Sequence, residues 1–156
     1  MAVLRWGKPK IEIARLTSGE LGNWVALDVP KLDSTQLTVE EGEETTAQEE
    51  GGAIVDSRRN ANAYSLAFSL FAKKDEDKPL SDSDGVIADN YAIRLTPEDP
   101  ATGGYQMLKC SVSVTESWTS ADGGLWTYTF KGLKPATGSI LQDYTPSQSS
   151  GSGEGE

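Results

Sequence analysis

The chain contains no histidine and a single cysteine, Cys110. Those two absences remove the Ser-His-Asp and Cys-His nucleophile systems, and with them every zinc or iron site built on imidazole or thiolate clusters. Cys110 has no partner within the chain and sits in an alternating apolar stretch, where a small buried hydrophobe fits. Glycine-rich phosphate loops of the P-loop or dinucleotide kind are missing too, so nothing in the sequence points to a nucleotide or to any other cofactor. Apolar runs fall well short of the roughly 20 residues that a membrane-crossing helix requires, and no membrane association is expected. Met1 to Leu16 carries Trp6, Pro9 and scattered charge where a signal peptide needs an unbroken apolar stretch, so the expected compartment is the cytoplasm.

Basic residues are also scarce. Lys plus Arg is 14 against 24 for Asp plus Glu, a net charge of -10. Such a surface repels polyanions and cannot hold DNA by counterion release, although it suits a path along which DNA slides without sticking. Hydrophobic residues make up 37%, with Gly 16 and Pro 7 spread between the apolar runs. That share is below the usual one and predicts short strands joined by turns. A length of 156 residues fits one domain, expected over 1–146. Residues 147–156 consist almost wholly of Ser, Gly and Glu, which bury no apolar area, and predict a flexible acidic tail.

What is present reads as a series of strands. Lys10 to Leu16 alternates apolar and polar residues until Ser18-Gly19 breaks it, and Trp24 to Val29 follows, stopped by Pro30, as its hairpin partner. Leu37-Thr38-Val39-Glu40 leads into an acidic but threonine-containing stretch bounded by Gly42 and Gly51-Gly52, which suits an extended polar ribbon solvated on at least one face. Ala63 to Phe71 alternates large and small residues and is the best central strand. Tyr105 to Thr115 and Leu125 to Phe130 flank Ala121-Asp122-Gly123-Gly124 as a long hairpin. The alternation predicts a core drawn from Tyr64, Leu66, Phe68, Leu70, Val112, Val114, Trp126, Tyr128 and Phe130. Val86 to Tyr91 is the one candidate for a short helix. The expected fold is mainly β: an antiparallel β-sandwich or barrel with at most one short helix.

Asp82-Ser83-Asp84-Gly85 matches part of a calcium loop, but Leu80 and Tyr91 fall where the first and last ligands belong, so a plain turn is the better reading. The carboxylates cluster in solvated runs and read as a solvated face rather than as a paired acid and base. Trp24 and Trp126 lie in strands and suit packing. Trp6 and Trp118 lie near strand ends, where the sequence leaves open a carbohydrate-stacking platform. The chain is therefore expected to bind or assemble rather than to catalyse.

Over residues 6 to 140 the layout resembles that of the tail tube (major tail) proteins of long-tailed bacteriophages and the inner-tube proteins of contractile injection systems. The likeness rests on the opening hairpin, the Leu37-Thr38-Val39-Glu40-Glu41-Gly42-Glu43 to Glu50-Gly51-Gly52 ribbon, the central aromatic strand and the closing Trp126-Thr127-Tyr128-Thr129-Phe130-Lys131-Gly132-Leu133-Lys134-Pro135. The resemblance implies a β-sandwich or barrel with a short flanking helix, in six-fold rings that stack into a hollow tube and work with other tail proteins in a virion tail assembled in the host cytoplasm. DNA or an effector would be passing cargo. On this reading Leu37, Val39, Thr45, Thr46, Ala47, Ile54 and Val55 form an inter-subunit ribbon, and Glu43, Glu44, Glu49 and Glu50 line the lumen, their alternative being a solvated outer face. The other reading of the whole chain is a monomeric immunoglobulin-like or carbohydrate-binding sandwich.

Overall fold

The computed structural model describes residues 4–145, so the expected flexible tail at 147–156 lies outside the described residues. The described residues form eleven strands: β1 (Lys10–Thr17), β2 (Glu20–Leu21), β3 (Val25–Ala26), β4 (Gln36–Glu40), β5 (Glu44–Gln48), β6 (Ile54–Arg59), β7 (Ala63–Phe71), β8 (Tyr91–Thr96), β9 (Gly104–Thr119), β10 (Gly123–Gly132) and β11 (Gln142–Tyr144). All strand pairs are antiparallel. The only helical turn among the described residues is the 3-10 segment Pro100–Thr102, started by the Asp99 carboxylate, which accepts from the Ala101 amide. No helix among them is long and apolar enough to cross a membrane.

Nine strands make one sheet in the order β2-β1-β8-β9-β10-β7-β4, with β3 on β1 and β11 on β9. The long strand β9 joins its two halves. Near its start β9 pairs with β8 (Leu95↔Tyr105), and from Cys110 to Thr119 it pairs with β10. The sheet folds over at this strand, so that Leu37 and Leu66 of one half line a small apolar pocket together with Ile93, Leu95 and Met107 of the other. The result is an open sandwich and not a closed barrel, with β4 at one end of the strand order and β2 at the other.

Alternation explains the core. Leu66, Phe68 and Leu70 of β7, Val112 and Val114 of β9, and Trp126, Tyr128 and Phe130 of β10 are all buried, and Tyr64 packs against them half-buried. Phe68 stacks on both Tyr128 (5.9 Å between ring centroids) and Phe130 (5.8 Å). Ile11 and Ile13 of β1 and Ile93 of β8 complete the same cluster from the other half. Cys110 is buried within it, and burial pushes its thiol up to about 12, so it is an unreactive packing residue.

The helix expected over Val86 to Tyr91 does not form. Asp84 and Gly85 have φ of 52° and 86°, and Ser83 and Val86 exchange backbone hydrogen bonds across them. Both central residues of a mirror-image tight turn need positive φ, and Asp-Gly supplies it. Val86 then bridges to Ser113 of β9, and Tyr91 already opens β8. The Asp82 carboxylate accepts from the Gly85 amide and from Lys78, which holds it below the ordinary carboxylate range. These bonds are those of a turn.

Two further expectations are adjusted. The second strand is shorter than Trp24 to Val29, since only Val25 and Ala26 pair with β1. The turn at the tip of the long hairpin comes before Gly123, the only residue there with positive φ, while Gly124 already pairs with Trp118.

Candidate assembly surfaces

Between β4 and β7 the chain leaves the sandwich. β5 and β6 pair only with each other, as a separate ribbon, and every residue in both strands is exposed. The sequence dictates this separation, because Glu, Thr, Gln, Asp, Ser and Arg dominate both strands and offer a core nothing to bury. The apolar exceptions are Ala47 and the adjacent pair Ile54 and Val55, each of the latter 61% exposed at the far end of the ribbon.

The ribbon is fixed at its root. The Asn60 amide donates to the Glu43 carbonyl, and the Gly42 amide donates to the Asn62 side chain. The Arg59 guanidinium donates to the Gly42 carbonyl (3.2 Å) and to Glu44 (3.2 Å), with Glu41 at 3.8 Å. Gly42 allows the close crossing here, since a methyl group at that position would collide with the Asn60 carbonyl. The Glu43/Asn60 bond also sets the phase of the ladder. Hydrogen-bonded and non-hydrogen-bonded pairs alternate in an antiparallel ribbon, and Thr46↔Ser57 falls in a non-hydrogen-bonded pair. The Thr46 amide and carbonyl therefore point away from β6, towards solvent.

The structure divides the expected inter-subunit segment. Thr45, Thr46, Ala47, Ile54 and Val55 lie in the detached ribbon, whereas Leu37 and Val39 belong to β4 and pair with Leu66 and Tyr64 of the main sheet. Leu37 packs half-buried against the core, and with the ladder to β7 it keeps β4 on the sandwich. The four acidic residues divide as well. Glu43 and Glu44 stand at the ribbon's root and Glu49 and Glu50 at its tip, all exposed. Glu44 is paired with Arg59, whereas Glu43 at the root and Glu49 and Glu50 at the tip have no ion-pair partner among the described residues.

Trp24 is occupied. The Arg94 guanidinium lies over its ring at 4.0 Å and over that of Tyr144 at 4.8 Å, and donates to Glu12 at 3.0 Å. Stacked aromatics and one ion pair thus cover the outer side of β1 and β8. Trp126 is in the core, while Trp6 and Trp118 are exposed. Among the described residues no group of three or more His, Cys, Asp or Glu side chains is placed to hold a metal ion.

A second surface was not legible in the sequence because three separate segments build it. The strap at Arg5 to Pro9, the loop at Val29 to Asp33, and Leu95 with Pro97 enclose a cleft of about 720 Å³. Lys31 fixes the loop, donating its amide to the Ser69 carbonyl and its ammonium to Asp122 at 3.0 Å. Arg5 fixes the strap, donating to the Thr102 carbonyl and to Asp143. No protein-family model matches the chain, and no curated protein matches it.

Proposed function

We propose that the chain is a structural subunit that assembles with copies of itself into stacked rings forming a hollow tube of the phage-tail kind. The observation that carries this reading is the detached ribbon. A two-stranded hairpin alone is marginal in water, and an isolated ribbon with outward-facing backbone groups and an apolar tip is a template for pairing with another chain. Pairing between copies would also cover the outer edge of β4. Net charge of -10 and the acidic ribbon tip suit a conduit, because a wall of like charge keeps DNA moving where a basic wall would hold it. The host particle's tail, built in the bacterial cytoplasm, is the corresponding location, and other tail proteins are the further partners.

Sedimentation velocity and negative-stain microscopy of the purified chain over rising concentration test the proposal. Rings or tubes are the expected species. A chain that remains monomeric throughout would instead favour a monomeric glycan-binding module, a reading that draws on the exposed rings of Trp6 and Trp118.

A further inference from the structure

We infer that the cleft between the N-terminal strap and the Val29 to Asp33 loop is the socket for the ribbon tip of a second copy of this chain. The inference rests on the self-assembly reading above and adds the surface that receives the ribbon.

The first reason is apolar matching. Leu32 is 84% exposed and Trp6 70%, and with Val29 they border the cleft, whose wall continues through Leu95 and Pro97. Exposed large apolar side chains that converge on one hollow mark an interface. The ribbon tip carries the counterpart, Ile54 beside Val55, in a hairpin that is otherwise polar.

The second reason is charge. Three cations, Arg5, Lys8 and Lys31, line the cleft with one acid, Asp33, and the Glu98 carboxylate beside the strap accepts from the Lys8 amide. Arg5 and Lys31 each hold one carboxylate, of Asp143 and Asp122, and Lys8 has no acidic partner within ion-pair distance among the described residues. The tip brings Glu49 and Glu50 beside its apolar pair. A single contact between the Lys8 ammonium and one of these glutamates would fix the register of an encounter more than its strength.

Placement is the third reason. The ribbon leaves the sandwich beyond Glu40, at the end of β4, while the cleft flanks the residues that precede Gln36, at its start. The fully exposed ribbon does not fill the cleft of its own chain. A projecting element and a receptor on different parts of one molecule make a heterologous contact, which closes into a ring or runs on as a filament.

Cys110 is buried and unreactive, so thiols placed at the surface are the only ones that react. Val55→Cys protein is mixed with Leu32→Cys protein and treated with a short thiol-directed cross-linker. A mixed covalent dimer is expected, with its yield lost when Trp6→Asp is added to the Leu32→Cys chain. Lys134→Cys reports on a separate surface groove, lined by Leu16, Leu21, Lys109 and Lys134. Oligomers in which Val55→Cys links to Lys134→Cys, to itself, or to neither site would overturn the socket and leave self-assembly standing. A wild-type chain with no species above monomer would overturn both.

Discussion

The Tyr128 hydroxyl donates to the Leu80 carbonyl at 3.3 Å, and Leu80 itself is buried. This bond and the Leu80 side chain join the bridge from Val86 to Ser113 in tying the charged stretch between β7 and β8 to the sandwich. Tyr128→Phe leaves that carbonyl without its donor, and the expected cost is about 1 to 3 kcal/mol. Denaturant unfolding checks it, and an unchanged midpoint would show that the loop does not depend on this bond.

Phe68 is fully buried between Tyr128 and Phe130. Phe68→Ala leaves a cavity that its strand-bound neighbours cannot close, so a loss of about 3 to 5 kcal/mol is expected. The same unfolding curves measure it, and a loss below about 1 kcal/mol would mean that the site collapses around the smaller side chain.

At the root of the ribbon, Gly42→Ala forces its new methyl group against the Asn60 carbonyl. Amide hydrogen exchange should then speed up at Asn60 and along β5 and β6, while the protected amides of β7, β9 and β10 hold. Exchange that rises evenly over the whole chain would show that ribbon and sandwich are one cooperative unit.

Proline substitutions at neighbouring positions separate assembly from folding. At Thr46 the amide points away from β6, so Thr46→Pro keeps the ribbon's own ladder and deletes only an outward donor. At Thr45 the amide points into the ladder, and Thr45→Pro should loosen the ribbon itself. Rings or tubes should be lost in both variants, with ribbon exchange protection lost only in the second. Normal tubes from Thr46→Pro would remove that edge from the assembly contact.

Lys78 bonds to the Asp82 carboxylate, the largest cause of its lowered pKa, and the Gly85 amide adds to it. A carboxyl held below its unfolded value, about 3.9, contributes stability that is present above that pH and is lost as pH falls through the folded pKa. Asp82→Asn keeps an acceptor for the Gly85 amide but removes the charge. Its thermal midpoint should lie below wild type at pH 7 and converge with it in the acid limb. A constant difference at all pH values would mean that charge plays no part.

Strands with one buried face were legible because their alternation is strict, as in Leu66, Phe68 and Leu70 opposite Phe130, Tyr128 and Trp126. Leu80 was not, being one apolar residue in a charged stretch whose burial depends on a chain segment far away in sequence. Opposite Tyr91 to Ile93, β9 takes three steps, Cys110 to Met107, where β8 takes two, so the buried positions of β9 change phase there, which obscures its period. The acidic stretch reads as one continuous ribbon because composition does not show where a chain leaves a sheet. Here Leu37 seats β4 on the core, and Gly42 lets the ribbon cross away. The cleft assembled by Trp6, Leu32 and Pro97 has no local signature at all.

The place of β1 in the strand order has a consequence for how the chain comes into being. β1 is made well before β8 but lies against it, with Lys10 opposite Thr96 and Arg15 opposite Tyr91. Only the short strands β2 and β3 are available to it early. At synthesis rates of about 5 to 20 residues per second, β1 waits roughly 4 to 16 seconds for its main partner to leave the ribosome. Closing so long a loop is slow in a refolding chain as well, because its entropy is lost before the distant pairing is gained. During that interval Ile11 and Ile13 are an uncovered apolar strand, open to pairing with neighbouring chains.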